Sequence, residues 1–282
     1  MTNSNRWNLR ITNNCLFADD KKLNKITLQH NARLGLRPYI HPLRSPNGTA
    51  CLTEDSPWHH PWQHGMQTGF HGVNGCDFWV DPGQSPKQAV GTIECREPRI
   101  LDNSLPKWEI EAMWRHTDDT PLLLEKQIWQ LHEYDEFVFL DLHWKLLGIA
   151  NIEIDAAEYG GYFLRMPYRT EYGATVINSE GLTEDDCEQH PASWVSLFMP
   201  VEKNTDGAGI VVCDHPANSN HPSKWRVDHQ RGINPAPCIG APITIQTGTY
   251  VSYNYRNILH DGPLPVKKIN ELWTNYSSEV IK

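Results

Sequence analysis

FVFLDLHWKL, residues 137–146, alternates along its length: Val138, Leu140, Leu142, Trp144 and Leu146 fall on one side of an extended chain, and Asp141, His143 and Lys145 on the other. A period of two marks a strand with one face in a core and the other toward water. The same period recurs in Trp108–Trp114, in Ile152–Ala156, and in Val251, Tyr253 and Tyr255, while Trp194–Met199 and Gly209–Cys213 are rich in β-forming residues. Helical spacing is clear only once, where Val266, Ile269, Trp273 and Tyr276 share a stripe after Pro265, a residue suited to a first helical turn. The pattern predicts an all-β protein, an antiparallel β-sandwich with a short C-terminal helix covering a sheet edge. No Ser/Gly linker, charge block or fixed-period repeat divides the 282 residues, so one β-sandwich domain over 1–282 is expected.

Hydrophobic residues make up 39% of the chain, on the low side for a globular core, but eleven Trp and ten Tyr supply large apolar area from few positions. A formal charge of −9, from 25 basic and 34 acidic residues, leaves no basic stripe to neutralise phosphates, which argues against nucleic acid and anionic membrane as partners. Apolar runs such as Phe137–Leu140 and Gly209–Cys213 fall far short of the roughly 20 residues of a membrane helix. The start MTNSNRWNLR shows no apolar signal region, and a cytoplasmic location is expected. Seven cysteines, scattered and without C-x-x-C, suggest neither a disulfide framework nor a zinc ribbon; they read as small buried hydrophobes.

Two stretches break the alternation and hold the densest chemistry: SPWHHPWQHGMQTGFHGVNGCDFW at Ser56–Trp79 and CDHPANSNHPSKW at Cys213–Trp225. In the first, His59, His60, His64 and His71 lie among turn-forming Pro and Gly residues. Imidazole transfers protons near neutral pH and is the commonest metal ligand, so the cluster suggests either role; the plainer reading is that these are hydrogen-bonding loop residues. The second stretch adds Asp214, His215 and His221, with a proline after each histidine that restricts the imidazole's own backbone to extended geometry. A divalent metal could draw on His60, His64, His215 and His221, although H-E-x-x-H is absent and Pro61 disfavours the helix that HPWQH would need.

Glu158, in AEYGGYFLRMPYR, and Asp77, in NGCDFW, are placed for acid–base work, and Arg165 could anchor a ligand carboxylate or hydroxyl; structural ion pairs are the alternative for each. Tyr159 with Gly160 and Gly161 reads as a turn or bulge where a ligand could approach backbone. Trp58, Trp62, Trp79 and Trp225 flank the histidines, as aromatic faces flank hydrogen-bonding groups where proteins grip sugars, although core packing accounts for most tryptophans. G-x-G-x-x-G, G-x-x-x-x-G-K-[ST] and G-x-S-x-G are all missing, which demotes nucleotide cofactors and serine hydrolysis.

RPYIHPLRSPNG, HHPWQHG, VNGCDFW, GGYFLRMPY, GIVVCDHPANSNHPSKW and YNYRNILHDG, in that order over nearly the whole chain, resemble the bacterial family that carries the label "methane oxygenase PmoA", a domain of unknown function. The label borrows from a multi-span membrane protein, and this chain has no span, so methane oxidation is rejected. The resemblance implies carbohydrate metabolism without naming a reaction. The histidine loop departs from the family's His-Pro-His-His, with Trp62 and Gln63 in the last two places, which weakens a four-histidine metal site. A looser likeness, to the galactose-mutarotase supersandwich, implies a sugar-sized groove.

The expectation is therefore a carbohydrate-active enzyme of lyase, isomerase/epimerase or hydrolase type, acting on a sugar or oxidised sugar by His/carboxylate acid–base chemistry. Its catalytic candidates are His60, His64, Glu158, Asp214 and His215; its substrate-binding candidates are Trp58, Gln63, His71, Asn74, Asp77, Trp79, Arg165, His221 and Trp225. The two His-rich stretches would form opposing walls of the cleft. A noncatalytic sugar-binding or sensing module and a metal-dependent sugar enzyme are the alternatives, and the oligomeric state stays open.

Overall fold

The structure, a computed structural model, describes residues 6–84, 89–167, 173–201 and 204–281. In chain order the first strands are β1 (Trp7–Thr12), β2 (Cys15–Asp20), β3 (Lys25–Asn31), β4 (Tyr39–Leu43), β5 (Met66–Gly69), β6 (Thr92–Cys95), β7 (Arg99–Asp102), β8 (Lys107–Arg115) and β9 (Pro121–Tyr134). They are followed by β10 (Phe137–Gly148), β11 (Ile152–Ile154), β12 (Gly161–Leu164), β13 (Thr175–Asn178), β14 (Trp194–Val201) and β15 (Asn204–Asp214). The last are β16 (Trp225–Val227), β17 (Ile233–Pro235), β18 (Ile243–Ile245), β19 (Tyr250–Asp261) and helix α1 (Val266–Ser277).

Two antiparallel sheets face each other, one ordered β1-β2-β3-β4-β5-β12-β17-β16 and the other β13-β14-β15-β19-β10-β9-β8-β6, with β7 also on β8 and β11 paired separately with β18. The alternation in residues 137–146 does what its period requires: Val138, Leu140, Leu142, Trp144 and Leu146 enter the apolar cluster between the sheets, with β9 on one flank of β10 and β19 on the other. From the eight-stranded sheet, Met66, Phe70, Tyr162, Leu164, Trp225 and Ile233 reach the same cluster. The expected antiparallel β-sandwich with a C-terminal helix is thus observed. All seven cysteines are free and six are buried. No helix among the described residues is long and apolar enough to cross a membrane.

This core carries its polar atoms in an ordered way. Glu125, fully buried on β9, accepts hydrogen bonds from the indole N–H groups of Trp114 (2.8 Å) and Trp144 (2.7 Å), from the Gln127 amide (2.8 Å) and from the Thr68 hydroxyl (2.5 Å). Gln127 in turn accepts from Trp129 (2.9 Å), and His30 accepts from Trp108 (3.1 Å). Tryptophan is a donor that must be paired when buried, and these acceptors let four of them fill one interior.

Helix α1 differs from expectation in its place. Its Ile269, Leu272 and Tyr276 pack on Phe137, Phe139, Val211, Cys213, Ile258 and Trp194, which lie across the outer face of the nine-stranded sheet, so the helix covers a face and not an edge. The reason is legible in β10, where Phe137 and Phe139 are apolar on the side that Asp141, His143 and Lys145 make polar further along. Pro265 precedes the first turn as its N-cap. Arg256 fastens the helix end, donating to both oxygens of Asp141 (2.7 and 2.8 Å) and both of Glu279 (2.7 and 3.0 Å) over the ring of Tyr276. Its side chain is only 4% exposed, while the carboxylates it pairs with are 27% (Asp141) and 48% (Glu279) exposed, so solvent screens part of what truncation would strand. Arg256→Ala is expected to lower the unfolding free energy by about 1–2 kcal/mol in urea titrations; a change near zero would mean that apolar contacts alone hold the helix.

Candidate functional site

Between β4 and β5 the chain makes a hairpin. Its stem is set by Gly65 N–H to the Glu54 carbonyl and Ser56 N–H to the Gln63 carbonyl, each at 2.8 Å, with Asp55 opposite His64. Glu54 N–H donates to the Arg165 carbonyl (2.9 Å) and Arg165 N–H to the Gly65 carbonyl (2.7 Å), bonds that continue β12 into this stem. Only glycine fits at Gly65, whose φ is +60° and where a Cβ would lie 2.3 Å from the Ile40 carbonyl. At the tip Trp58, His59, His60 and Trp62 form a chain of edge-to-face rings with centroids 5.0–5.5 Å apart. Trp58 is 92% exposed, and the Nδ1 atoms of His59 and His60 share one hydrogen bond at 2.7 Å.

His64 has a different fate from its neighbours. Buried to 5% exposure, it meets Asp55 through Nδ1 (2.5 Å) and Asp81 through Nε2 (2.9 Å), and Tyr39 lies against its ring. Burial opposes its charge, but the two carboxylates outweigh it and raise the pKa above the ordinary value. Because both ring nitrogens are engaged, His64 can neither act as a catalytic base nor bind a metal. It is a structural residue whose charged form the two carboxylates favour.

Strand alternation turns Phe163, Arg165 and Arg226 to the side of the eight-stranded sheet that faces away from the core. Trp79 packs there against Phe163 (5.3 Å) and Tyr159 (5.1 Å). Asp77, nearly inaccessible, accepts from Trp79 N–H (2.6 Å), Val80 N–H (3.3 Å) and His71 Nδ1 (3.1 Å). Burial pushes the Asp77 carboxyl up, and the His71 bond and the two backbone N–H groups prevail to hold it below its usual range. The same bond raises His71, against a smaller effect of burial. At the hairpin tip His60 is lowered, first by burial and then by Arg165, with Arg226 adding to the effect. Tyr159 is raised by burial and by Asp77, and Arg226 acts on it too. Arg226, bound to Glu188 (2.6 Å) and reaching Glu158 (3.5 Å), is thus the common neighbour of His60 and Tyr159.

Several expected roles do not survive. Arg165 is 1% exposed, and its three nitrogens donate to Gln63 (2.7 Å), the Gln230 carbonyl (2.6 Å) and Asp228 (2.9 Å), so Arg165 and Gln63 brace the hairpin and do not hold substrate. Asn74 ties its turn to Asn151 and Glu153. Trp225 is wholly buried in the core, and Trp79 is 5% exposed, so neither offers an open stacking face. Glu158 stands exposed on the rim beside Arg226. The stretch Cys213–Trp225 does not form an opposing wall. Asp214 is consumed by His221, the Ser223 N–H and Asn218; His221 stacks on Trp273 and His215 meets Tyr276, both on α1 over the other sheet. Among the described residues no group of three or more His, Cys, Asp or Glu could hold a metal ion, so His60, His64, His215 and His221 do not assemble as ligands.

Of the expected residues, the structure leaves Trp58, His60, His71 and the rim acid Glu158 on this surface, with His59, Trp62 and Tyr159, and Asp77 buried behind His71. Tyr168, the end of the GGYFLRMPY motif, lies outside the described residues. Asp55, Asp81, Glu188, Arg226 and Asp228 carry no sequence signal beyond their charge, since each gains its part from a chain segment distant in sequence.

Among solved structures, the chain is similar to the α-galactosidase from Lactobacillus brevis, with a TM-score of 0.42 and 8% identity over 93% of this chain and 40% of that one. It is also similar to the galactosidase domain of an α-galactosidase–sucrose kinase, with a TM-score of 0.35 and 10% identity over 90% of this chain and 42% of that one. The chain spans about two fifths of each of these chains, and likenesses this distant are silent on chemistry. No curated protein matches its sequence. One family model does match, over residues 18–274, which takes in the hairpin, both sheets and most of α1: the chain belongs to the family of unknown function DUF6807.

Proposed function

We propose that the protein is an enzyme acting on a sugar or an oxidised sugar derivative, of lyase, isomerase/epimerase or hydrolase type, with two histidines as its proton-transfer groups. The observation that carries the reading is a pair of imidazoles pushed in opposite directions, His60 near Arg226 and His71 against Tyr159, which Arg226 also neighbours. His60, lowered, is neutral at neutral pH and suits a base; His71, raised by Asp77, keeps its proton further into the alkaline range and suits an acid. If His60 donates the proton in its bond to His59, its Nε2 is the acceptor that would take a proton from a sugar carbon or hydroxyl. Trp58 would stack on the sugar's C–H face. The proposal places the protein in the cytoplasm, with a small sugar as its partner; methane oxidation has no part in it.

Turnover and calorimetry across free and oxidised sugars test the reading. For a substrate found this way, Trp58→Ala is expected to weaken binding about tenfold, a loss near 1.4 kcal/mol, with little change in the chemical step. The exposure of Trp58 favours a second reading, a noncatalytic sugar-binding or sensing module. Sugars that bind, depend on Trp58 and return unchanged after long incubation would establish that module in place of the enzyme.

A further inference from the structure

The hairpin that presents Trp58, His59 and His60 is fastened at its root by charge. His64 donates one N–H to Asp55, on the opposite side of the stem, and the other to Asp81, which belongs to the loop after Trp79 and is itself held by Arg37 (3.3 Å). Arg37 also donates to the Phe78 carbonyl, so the chain Arg37–Asp81–His64–Asp55 joins three segments in a row that is buried up to His64 and ends on the partly exposed Asp55. We propose that the Asp55–His64–Asp81 bridge is a latch that sets the hairpin against the sheet, and that deprotonation of His64 opens it and withdraws Trp58, His59 and His60 from the face. The latch itself is independent of the sugar reading; only the consequence for His60 chemistry rests on it.

The geometry makes the latch all or none. A doubly protonated ring serves both carboxylates, while a neutral ring has one N–H and must turn a lone pair toward Asp55 or Asp81 in a site nearly closed to water. A further side-chain tie on the hairpin joins Gln63 to Arg165. Around the bridge stand Glu54 on the hairpin, Tyr39 and His41 on β4, Arg33 and Arg37 before it, and Asp77 beside Asp81. His41 is lowered by burial and Tyr39 is raised to about 12, so the first turns over below 6.5 and the second above the pH range of the test. For His64 the folded pKa is raised, so the latch is intact below the ordinary value of 6.5 and is lost as pH rises through the raised value. On the acid side burial favours protonation of Asp55, but its bond to His64 prevails and lowers it. The Asp55 arm of the latch therefore holds on the acid side until pH falls through a value below 3.8.

The test needs no substrate. In protein carrying 5-fluorotryptophan, the ¹⁹F resonances of Trp58 and Trp62 are assigned with Trp58→Phe and Trp62→Phe and followed from about pH 5 to 10. The half-buried Trp62 is expected to shift with a midpoint above 6.5, while Trp108, deep in the core, stays put. In Asp55→Asn the midpoint should fall by roughly one pH unit or more, because the imidazolium loses one of its two carboxylates. In His64→Gln the alkaline transition should vanish, with the open spectrum at every pH. A transition that persists in His64→Gln belongs to His59 or His60 and overturns the latch, as does an unmoved midpoint in Asp55→Asn. Should His64→Gln fail to fold, Asp55→Asn, at a partly exposed carboxylate, decides alone.

Discussion

Glu125→Leu is expected to lower the unfolding free energy by at least about 4 kcal/mol, enough to leave much of the protein unfolded under conditions where the wild type is native. Leucine has nearly the right volume, so the loss is not one of packing. It follows from the donors that end on the Glu125 carboxyl in a core closed to water: the indoles of Trp114 and Trp144, and the amide of Gln127, which would keep only its bond to the Thr68 hydroxyl. Each donor left unpaired costs about 1–3 kcal/mol. Glu125→Gln should cost less, because three of the four bonds fall on one oxygen and can be kept by the amide carbonyl. The amide N–H then faces Trp114, and Trp114→Phe should cost less in that background than in the wild type, because the donor it removes is already stranded. A double-mutant cycle by chemical denaturation reads this coupling; strict additivity would show that Glu125 is not what satisfies Trp114.

The same strand shows why the core was only half legible in the sequence. Along β9, Leu123, Glu125, Gln127, Trp129 and Leu131 face inward together, so two polar residues sit in apolar register and blur the alternation that β10 displays cleanly. Polarity alone sends Glu125 outward. Its buried place becomes explicable only when the tryptophans of β8 and β10 are seen around it. The C-terminal helix was readable from its stripe, but its seat was not, since Phe137 and Phe139 had to be recognised as an apolar patch on an otherwise polar face. At the candidate site, the Ser56–Trp79 stretch announced itself by composition and does supply most of the surface. The density of histidine there concealed three different environments. His64 is locked by acids at both nitrogens, His60 lies lowered at an exposed tip, and His71 is raised by one buried carboxylate. Nothing in the Ser56–Trp79 sequence distinguishes them, because Asp55 and Asp81 around His64, the burial of His60 beside Arg165, and the contact of Asp77 with His71 are set by the fold. The second His-rich stretch misled for the same reason: its polar side chains close a turn beneath α1, a contact set by the far end of the chain.

Asp77→Asn is expected to reduce turnover of an identified sugar substrate by about 10²–10⁴-fold while leaving the fold intact. Asp77 touches no reacting atom in this scheme. It is a positioning residue that accepts from His71 Nδ1, fixes that tautomer, and turns Nε2 away from itself as the atom that exchanges protons. Two backbone N–H groups hold one carboxyl oxygen, and asparagine can keep only part of this arrangement, since its amide N–H₂ then faces His71 Nδ1 and is met only by a neutral ring protonated at Nε2, the opposite tautomer. A structural role would lower stability and leave the pH profile where it was, so the profile is the decisive readout. In the wild type the acid limb should lie below 6.5, where His60 gains a proton and ceases to be a base, and the alkaline limb above 6.5, where His71 loses the proton it must donate. Removing the Asp77 charge takes away the largest cause of the rise in His71, so the alkaline limb should move down by roughly one pH unit or more and narrow the bell, with the acid limb unmoved. His60→Ala should instead abolish the acid limb along with most of the rate. A variant Asp77→Asn that keeps wild-type turnover, or that loses rate with both limbs in place, removes His71 from the chemistry and leaves the face with a single histidine for proton transfer.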